Sequence, residues 1–313
     1  MSLLVVGSQR VPLFVAGLRA LQPDIALQVW PDEVPDPDAV RHALAWGAPD
    51  GVLAGFQNLK LMVSVGAGVD HLLKDPHLPD VPLVRFVDPD LTQRMTSYIA
   101  LQCLYHHRRM CEFATAQRAG RWEHLVEPNA PDVTVSVLGT GVLGQAALTA
   151  LRGLGYRLQG WSRTPKSLAG VTTFDGADGL DACLATTDIL VCLLPLTPAT
   201  RGMLNADLFA KLKRNGALPG PVLINAGRGG LQVETDILAA LQDGTLYAAS
   251  LDVFENEPLP SASPLWAHER VVITPHCAAE SDPNAIAAYT LRQIAAFEAG
   301  EPLDHLVDRT RGY

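Results

Sequence analysis

A glycine-rich turn, GTGVLG at 139–144, follows a β-branched run and opens a helical pattern. In a dinucleotide-binding fingerprint, Gly139 allows the tight turn, Gly141 lets the backbone approach a pyrophosphate, and Gly144 lets the helix pack closely on the strand. Val142 and Leu143 begin the helix, whose first N–H groups and positive end favour phosphates. The spacing therefore predicts a nicotinamide dinucleotide site, and the alternative is an ordinary strand-to-helix turn.

The following strand ends in residues that select the form of the dinucleotide. An NAD enzyme normally carries Asp or Glu about 20 residues after the glycines. Here Ser162, Arg163 and Lys166 occupy that place, with Arg163 nineteen residues after Gly144 and no carboxylate beside it. Because cationic side chains bind a 2′-phosphate, we predict NADPH as cofactor, with NADH less favoured. The alternative is that Arg163 and Lys166 are solvated loop charges.

A second anion-binding turn is predicted in the first part of the chain. The apolar run LMVSV at 61–65 leads into Gly66, Ala67 and Gly68, whose small side chains let successive N–H groups form an anion nest. A purely structural turn explains this sequence equally well. We also predict Trp46 and residues 95–98 as walls of a substrate pocket, with core packing as the alternative.

Three charged or titratable side chains follow apolar runs in the second half of the chain: Arg228, Glu257 and His276. The carboxyl ends of parallel strands meet at one edge of a sheet, where open α/β proteins bind ligands. We therefore expect the three side chains to converge on one crevice. Taken singly, each is also compatible with a structural or solvated loop residue.

The elements that must position these residues form two alternating series of strands and helices. The first predicted strands are 3–6, 52–54, 61–65 and 82–86, and the second series comprises 133–138, 156–161, 189–194, 221–225, 247–253 and 271–274. Predicted helices cover 91–120, 142–153, 205–213, 235–242 and 283–300. Runs that are apolar without alternation indicate strands buried on both faces, so we predict an α/β fold with two doubly wound parallel-sheet domains.

Composition limits the class of protein. The 313 residues are 48% hydrophobic and 18% charged, which excludes intrinsic disorder, and a net charge of −9 argues against a nucleic-acid binder. The five cysteines form no CxxC pair, so we expect buried, reduced thiols in a cytoplasmic protein without a metal site. The charge-free run 133–151 contains glycines and a change of period, so we expect a strand, turn and helix and no membrane segment. The first residues lack the basic start of a signal peptide.

Several strings, in order along the chain, resemble the D-isomer-specific 2-hydroxyacid dehydrogenase family. The matching strings are VSVGAGVDHL, VLGTGVLG, LLPLTPATRGMLN, INAGRGGLQVETDIL, SLDVFENEPLP and VVITPH. WSRTPKS, PLWAHERVVITPH and the final VDRTRGY are similar to its glyoxylate/hydroxypyruvate reductase A branch.

The resemblance implies a hydride-transfer enzyme that reduces a small 2-oxo acid, such as glyoxylate or hydroxypyruvate, with NADPH. By the same resemblance His276 donates the proton, Glu257 stabilises the imidazolium, and Arg228 binds the substrate carboxylate. The nest at 66–69 is expected to bind the same carboxylate. Further cofactor contacts are implied at the positions that match the family's motifs: Leu194, Pro195, Asn225, Ala226 and Asp252.

The family's organisation implies Rossmann- and flavodoxin-like domains with an active-site cleft between them. The substrate domain would comprise 1–97 and 282–313, the dinucleotide-binding domain 98–281, and a homodimer would form through the latter. Two features depart from the family's pattern. The connection before the strand at 221–225 is longer than usual, and the extra glycine in GRGG at 227–230 is expected to loosen the backbone around the arginine.

Other functions remain open at this point. A non-catalytic NAD(P)H sensor or corepressor would share the fold, although the complete Arg, Glu and His set favours turnover. A dehydrogenase for a bulkier 2-hydroxy acid is a second alternative, since the pocket walls are not fixed by sequence. NAD-linked oxidation of a phosphorylated hydroxy acid is disfavoured by Arg163.

Overall fold

The computed structural model describes residues 2–7 and 10–312 and divides the chain into two units. Unit 1 comprises Met1–Leu91 with Glu280–Tyr313, and unit 2 comprises Thr92–Ala279. Each unit is built on its own parallel sheet flanked by helices, which confirms the predicted fold class.

Unit 1 contains a five-stranded parallel sheet in the order β2-β1-β3-β4-β5 within the described residues. Its strands are β1 (Ser2–Val6), β2 (Leu27–Val29), β3 (Val40–Ala45), β4 (Leu61–Ser64) and β5 (Leu83–Arg85). Helices α1 (Val11–Leu21), α2 (Asp70–Leu73) and α9 (Pro283–Ala299) belong to the same unit. This strand order is that of flavodoxin-like sheets.

Helix α9 returns the chain to unit 1, where it packs on α1. The Asp282 carboxylate caps the helix by accepting a hydrogen bond from the Ala285 N–H, and Gly300 ends it in the left-handed region at φ 68°. Close packing needs Gly17 on α1, because a Cβ there would lie 3.1 Å from the Pro283 carbonyl oxygen. The predicted terminal helix and its return to the first strands are therefore present.

Unit 2 contains a seven-stranded parallel sheet in the order β12-β11-β10-β9-β6-β7-β8 among the residues described. Its strands are β6 (Thr134–Leu138), β7 (Arg157–Ser162), β8 (Thr172–Asp175), β9 (Ile189–Cys192), β10 (Val222–Asn225), β11 (Ala248–Leu251) and β12 (Val271–Ile273). Its helices are α4 (Met110–Arg118), α5 (Val142–Gly153), α6 (Gly176–Leu184), α7 (Ala206–Ala210) and α8 (Glu234–Asp243), while α3 (Pro89–His107) contains the boundary between the units. The order reverses at β6, as in dinucleotide-binding sheets.

Some predicted elements are wrong. Residues Leu53–Gly55 form a 3-10 helix where a strand was expected at 52–54, and the strands β2, β3 and β8 were not predicted. The predicted single helix over 91–120 is two helices, because Arg109 adopts the left-handed conformation at φ 57° between them. At this break the Arg109 guanidinium forms an ion pair with Glu112, with 2.7 Å between Arg109 Nε and the carboxylate.

The long connection before β10 is fixed by one buried carboxylate. Asp188 accepts hydrogen bonds from the backbone N–H of Thr134 at 2.8 Å and of Ala217 at 3.1 Å, and Lys213 Nζ lies 3.2 Å away. Gly216 passes so close that a Cβ would lie 1.8 Å from Asp188 Oδ1. The extra residues thus have a defined path at the amino edge of the sheet.

Four of the cysteines, Cys103, Cys111, Cys183 and Cys192, are buried thiols, as predicted. Cys277 is exposed, which corrects the expectation for that residue. It follows the end of β12 in an irregular loop, where the apolar run that suggested burial has already ended. Among the described helices, none combines the length and apolar character needed to cross a membrane.

Candidate functional site

The carboxyl edge of the unit 2 sheet brings together almost all of the predicted chemistry of this unit. In sheet order, the strands β12, β11, β10, β9, β6 and β7 end at or just before His276, Asp252, Asn225, Leu194, Gly139 and Ser162. Residues separated by more than 130 positions in the sequence therefore lie along one edge. A parallel sheet produces this row because all its strands run in the same direction.

The glycine turn has the geometry that each glycine was expected to provide. Gly139 lies at φ 100°, and a Cβ there would be 2.8 Å from the Leu193 carbonyl oxygen. A Cβ on Gly144 would lie 2.0 Å from the Gly139 oxygen, so helix and strand are in direct backbone contact. A Cβ on Gly141 would meet nothing within 4 Å. The turn is thus tight on its protein side and open at Gly141, which fits a bound pyrophosphate.

Helix α5 begins at Val142, as predicted, so its first N–H groups lie at this turn. Val142 is half exposed and Leu143 partly buried against the core. The resulting helix end and open glycine form a cradle suited to an anionic ligand.

The cationic residues predicted to read the ribose phosphate lie beside that cradle. Lys166 Nζ donates a 2.6 Å hydrogen bond to the Thr140 carbonyl, in the centre of the glycine turn. Ser162 ends β7, its hydroxyl donates to the Thr164 carbonyl at 2.9 Å, and Arg163 follows with an exposed side chain. The structure thus places Lys166, which is 26 residues from Thr140 in sequence, against the turn.

The loops after β9 and β10 carry the next predicted cofactor contacts. Leu194 and Ala226 are buried, and the Pro195 carbonyl accepts a hydrogen bond from Thr200 Oγ1 at 2.7 Å. The fully buried amide of Asn225 donates to the Arg228 carbonyl and accepts from the Gly227 N–H. Asn225 therefore shapes the loop that carries Arg228.

Gln232 was missed by the sequence analysis, although it completes this arrangement. Its side-chain oxygen accepts from Asn225 Nδ2 at 2.8 Å, and its Nε2 donates to the Val253 carbonyl at 2.9 Å. The residue is 3% exposed. A polar residue between Leu231 and Val233 was the only available signal, and it does not reveal a partner seven residues away.

His276 and Glu257 form a direct pair. His276 Nδ1 lies 2.7 Å from Glu257 Oε2, and the other oxygen, Oε1, accepts from the Phe254 N–H at 2.9 Å. Burial raises the pKa of Glu257, but hydrogen bonds from His276 and Phe254 and the charge of Arg228 outweigh it, so the pKa lies below its ordinary value. Glu257 is thus an anion at neutral pH, and it orients the imidazole with Nε2 on the opposite side of the ring.

Arg228 lies in the same group, half-buried, with Nη1 donating to the Gly227 carbonyl at 2.8 Å. The expectation that the extra glycine loosens this backbone stays a prediction. Gly229 packs directly on the chain after β11, because a Cβ there would lie 1.9 Å from the Phe254 carbonyl. The glycine permits a close contact between the loops that carry Arg228 and Glu257.

Asp252 has a structural role that the sequence did not reveal. Its buried carboxylate accepts hydrogen bonds from the N–H groups of Cys277 and Ala278 and from Thr274 Oγ1, all between 2.6 and 3.1 Å. Tyr98 OH lies 2.9 Å from the same Thr274 hydroxyl. The loop that carries His276 is therefore tied to Asp252, and Tyr98 contributes a hydrogen bond besides its predicted place in a pocket wall.

The predicted nest of unit 1 follows β4. Ser64 Oγ lies 3.2 Å from the Gly66 carbonyl oxygen and 3.4 Å from that of Gly68. In a trans peptide the next N–H points opposite to the carbonyl. The N–H groups of Ala67 and Val69 consequently point away from Ser64, and the anion nest stays a prediction.

Trp46 packs on this nest. A Cβ on Gly66 would lie 2.6 Å from Trp46 Cζ3, so only glycine fits beneath the indole. His71 supports the ring from α2, with ring centroids 4.3 Å apart, and its Nδ1 accepts from the Gly47 N–H at 3.2 Å. Met95, by contrast, is buried in the unit 2 core, in agreement with core packing.

Comparison with known proteins gives a consistent result. The family model described as D-isomer specific 2-hydroxyacid dehydrogenase, NAD binding domain, matches residues 100–278. Glyoxylate/hydroxypyruvate reductase A of Escherichia fergusonii is 39% identical over 306 residues, which cover 96% of both chains. These findings confirm the resemblance that the motifs indicated and the prediction of a nicotinamide dinucleotide site in this part of the chain.

Solved structures of similar chains carry the phosphorylated dinucleotide. The NADPH-dependent glyoxylate/hydroxypyruvate reductase of Sinorhizobium meliloti, in complex with NADP and sulfate, is 46% identical with a TM-score of 0.94 and full coverage of both chains. A probable 2-hydroxyacid dehydrogenase from Rhizobium etli, in complex with NADP, HEPES and L(+)-tartaric acid, is 47% identical with a TM-score of 0.94, covering 100% of this chain and 99% of that one.

Proposed function

Because the chain belongs to the D-isomer specific 2-hydroxyacid dehydrogenase family, we propose that it reduces glyoxylate, hydroxypyruvate and similar small 2-oxo acids to 2-hydroxy acids with NADPH. The observation that carries the proposal is the 2.7 Å hydrogen bond between His276 and Glu257 at the carboxyl edge of the unit 2 sheet. The names of the Escherichia and Sinorhizobium relatives support this substrate class.

In the proposed reaction His276 is the proton donor. Glu257, held as an anion, stabilises the imidazolium through Nδ1, which leaves Nε2 to give its proton to the carbonyl oxygen of the substrate. When bound, the nicotinamide supplies the hydride that the carbonyl carbon receives. The hydride and the proton together convert the C=O group to CH–OH and leave His276 neutral.

Arg228 is proposed to bind the carboxylate of the 2-oxo acid and to polarise its carbonyl group, since a guanidinium matches a carboxylate with two parallel hydrogen bonds. The nest of Gly66, Ala67 and Gly68 is proposed to contribute N–H donors to the same carboxylate. Trp46, which covers Gly66, is proposed to limit the size of the substrate side chain.

NADPH is proposed to bind along the glycine turn of Gly139, Gly141 and Gly144, with Leu194, Pro195, Asn225, Ala226 and Asp252 at the nicotinamide end. Ser162, Arg163 and Lys166 are proposed to bind the 2′-phosphate. The support is the 2.6 Å contact that holds the Lys166 ammonium against the turn, together with the absence of a carboxylate at residues 162–166.

An NADPH oxidation assay with glyoxylate, hydroxypyruvate and bulkier 2-oxo acids tests the proposed activity. We expect turnover with the two small acids, and a loss of about 10²-fold or more in kcat for His276→Ala. His268→Ala is the matched control, because this histidine follows a short 3-10 helix at the amino end of β12. Tight NADPH binding without turnover of any oxo acid would favour a non-catalytic sensor, and a preference for bulky acids would correct the substrate class.

Cofactor choice has its own test. Arg163→Gln is expected to raise KM for NADPH about tenfold or more while leaving KM for NADH nearly unchanged. Arg157→Gln, at the opposite end of β7, is the control. Equal kcat/KM values for the two cofactors in the wild-type protein would contradict the proposed preference.

The domain roles and assembly follow the same family reading. We propose that residues 1–97 with 282–313 form the substrate domain, that 98–281 form the dinucleotide domain, and that the protein is a cytoplasmic homodimer. Unit 2 exposes Leu101, Met110, Trp122 and Val126, an apolar set suited to a second copy of the chain. Light scattering of wild-type protein and Leu101→Glu tests this, and a wild-type monomer would contradict it.

A further inference from the structure

The loop that carries His276 holds its backbone in a conformation that needs support. His276 lies at φ 53°, in the left-handed region that side chains other than glycine rarely adopt. Such a conformation is strained and persists only where its neighbours fix it. The His276 N–H donates to the Asp252 carbonyl at 2.7 Å, which fixes one side of the turn.

The other side is fixed through the Asp252 carboxylate, which is 2% exposed. It receives the N–H groups of Cys277 at 3.0 Å and Ala278 at 3.1 Å, and the Thr274 hydroxyl at 2.6 Å. A carboxylate accepts hydrogen bonds, so the Thr274 proton is directed to Asp252. The Thr274 oxygen must then accept the proton of Tyr98, whose hydroxyl lies 2.9 Å away.

The hydrogen bonds are therefore donated by Tyr98 to Thr274 and by Thr274 to Asp252. Burial raises the pKa of Tyr98 well above its ordinary value, so this phenol stays a donor throughout the physiological range. Tyr98 and Thr274 each donate their hydroxyl proton to the next group in this hydrogen-bond network. The loop on both sides of His276 is attached to the network through Asp252.

The anchor stands on two regular elements. Tyr98 belongs to α3, and one and two turns further along the same face Gln102 and His106 contact Ser250 Oγ, each at 2.7 Å. Ser250 lies in β11, two residues before Asp252, so the two side chains project to the same side of the sheet. A polar row on α3 thus pairs with a polar row at the end of β11.

We propose that Thr274, held between Tyr98 and Asp252, is a positioning residue that fixes the His276 loop in its left-handed conformation and thereby sets the direction of the imidazole. Glu257 orients the ring through Nδ1, whereas Thr274 orients the backbone from which the ring projects. The inference rests on the proposed function because His276 must be the proton donor. A displacement of about 1 Å in such a group costs about 10²-fold in rate.

Thr274→Val tests the inference, since it keeps the shape of the side chain and removes only the hydroxyl. We expect kcat for glyoxylate to fall 10- to 100-fold, while KM for glyoxylate and Kd for NADPH change less than threefold and the pH of half-maximal kcat does not move. Thr274→Ser, which restores the hydroxyl, should return kcat to within threefold of wild type. Thr187→Val is the control, because this buried hydroxyl lies at the amino end of β9.

A kcat of Thr274→Val within twofold of wild type would overturn the inference, and so would tenfold rises in both KM and Kd, which indicate general damage. If that variant does not fold, Tyr98→Phe takes its place. It removes only the phenol hydroxyl and should lower kcat at least threefold, and an unchanged kcat there also overturns the inference.

Thiol labelling separates this inference from the proposed function. Cys277 is the exposed thiol, whereas the other four cysteines are buried, so a disulfide reagent such as dithionitrobenzoate reports on the His276 loop. We expect labelling of Thr274→Val at least threefold faster than wild type, with Thr274→Ser close to wild type and Cys277→Ser unlabelled. Absence of wild-type turnover with faster labelling overturns the proposed function alone. Unchanged labelling together with unchanged kcat overturns the anchoring.

Discussion

At the scale of single residues, the pair of His276 and Glu257 gives a definite pH dependence. The pKa of Glu257 lies below its ordinary value, because the hydrogen bonds from His276 and Phe254 and the charge of Arg228 outweigh the effect of burial. A carboxyl group with a lowered pKa keeps its charge until the pH falls through that lowered value. Glu257 consequently stays charged as the pH falls from neutral toward its lowered pKa, and it contributes no loss of activity over that range.

Glu257→Gln removes the charge and keeps the shape of the side chain. The imidazolium then loses its anion, so we expect the pH of half-maximal reduction to move down by about one unit, with a loss of about tenfold in kcat at pH 7.5. A pH–rate profile of kcat measures both. Glu255→Gln is the matched control, since that side chain is 61% exposed and contacts Arg201. An unshifted profile for Glu257→Gln would show that the pair does not set the protonation of His276.

At the scale of elements, two glycines of the same turn are expected to affect different properties: Gly144 the stability of the protein and Gly141 the binding of NADPH. A Cβ on Gly144 would lie 2.0 Å from the Gly139 oxygen, where neither backbone can move easily, whereas a Cβ on Gly141 would meet nothing. We expect Gly144→Ala to lower the free energy of unfolding by about 1–3 kcal/mol or more. Gly141→Ala should leave unfolding nearly unchanged and raise Kd for NADPH at least tenfold.

Urea denaturation and fluorescence titration of NADPH measure the two effects. Gly153→Ala is the control, since it lies in the same helix, a Cβ there meets nothing within 4 Å, and its φ is negative. It should stabilise the protein by about 0.5–1 kcal/mol, because alanine favours the helix over glycine. Equal stability of Gly144→Ala and wild type would contradict the close helix–strand contact.

The helices and strands also differ in how well they can be predicted from the sequence. Strands β6, β9, β10 and β11 were predicted well because each is an apolar run buried on both faces, whereas the largely unburied β8 was missed, and the helix at 142–153 matches α5 to the residue. Strand β3 was missed because VRHALA at 40–45 is rich in alanine and carries His42. Residues 52–54, VLA, have the composition of a strand but lie in and next to a 3-10 helix.

The candidate site was predicted where position along the chain decides the chemistry, as for residues at strand ends. It was missed where contacts join distant positions. Tyr98 and Thr274 are 176 residues apart, and Lys166 reaches a carbonyl at Thr140 rather than a side chain. No spacing rule reports such contacts, because they depend on how α3 packs on β11 and on the path of the loop after β7.

At the scale of the whole molecule, the net charge and the local donor groups have opposite effects on the binding of anionic ligands. The net charge of −9 disfavours anionic ligands, yet both proposed ligands are anions. Binding therefore depends on local donors, namely a helix end, backbone N–H groups and a few cations. The same molecule buries titratable side chains that play no part in the proposed reaction, and these couple its stability to pH.

His106 is the clearest of them. Burial lowers its pKa from 6.5 to about 4, so it is neutral in the folded state at pH 6 while an unfolded chain takes up a proton. A lowered histidine pKa means that stability is complete above pH 6.5 and is lost as the pH falls toward 4. The expected loss is about 3 kcal/mol over that interval, since each pKa unit corresponds to about 1.4 kcal/mol.

Denaturation in urea at pH 7, 6, 5 and 4 measures this loss. His106→Gln retains a donor for Ser250 but cannot be protonated, so its free energy of unfolding should fall about 3 kcal/mol less than that of wild type between pH 6.5 and 4. His124→Gln, which replaces an exposed histidine of the same unit, should follow the wild-type curve. Parallel curves for wild type and His106→Gln would mean that His106 is accessible to protons in the folded protein. In that case the polar contacts between α3 and β11 would open well before the protein unfolds.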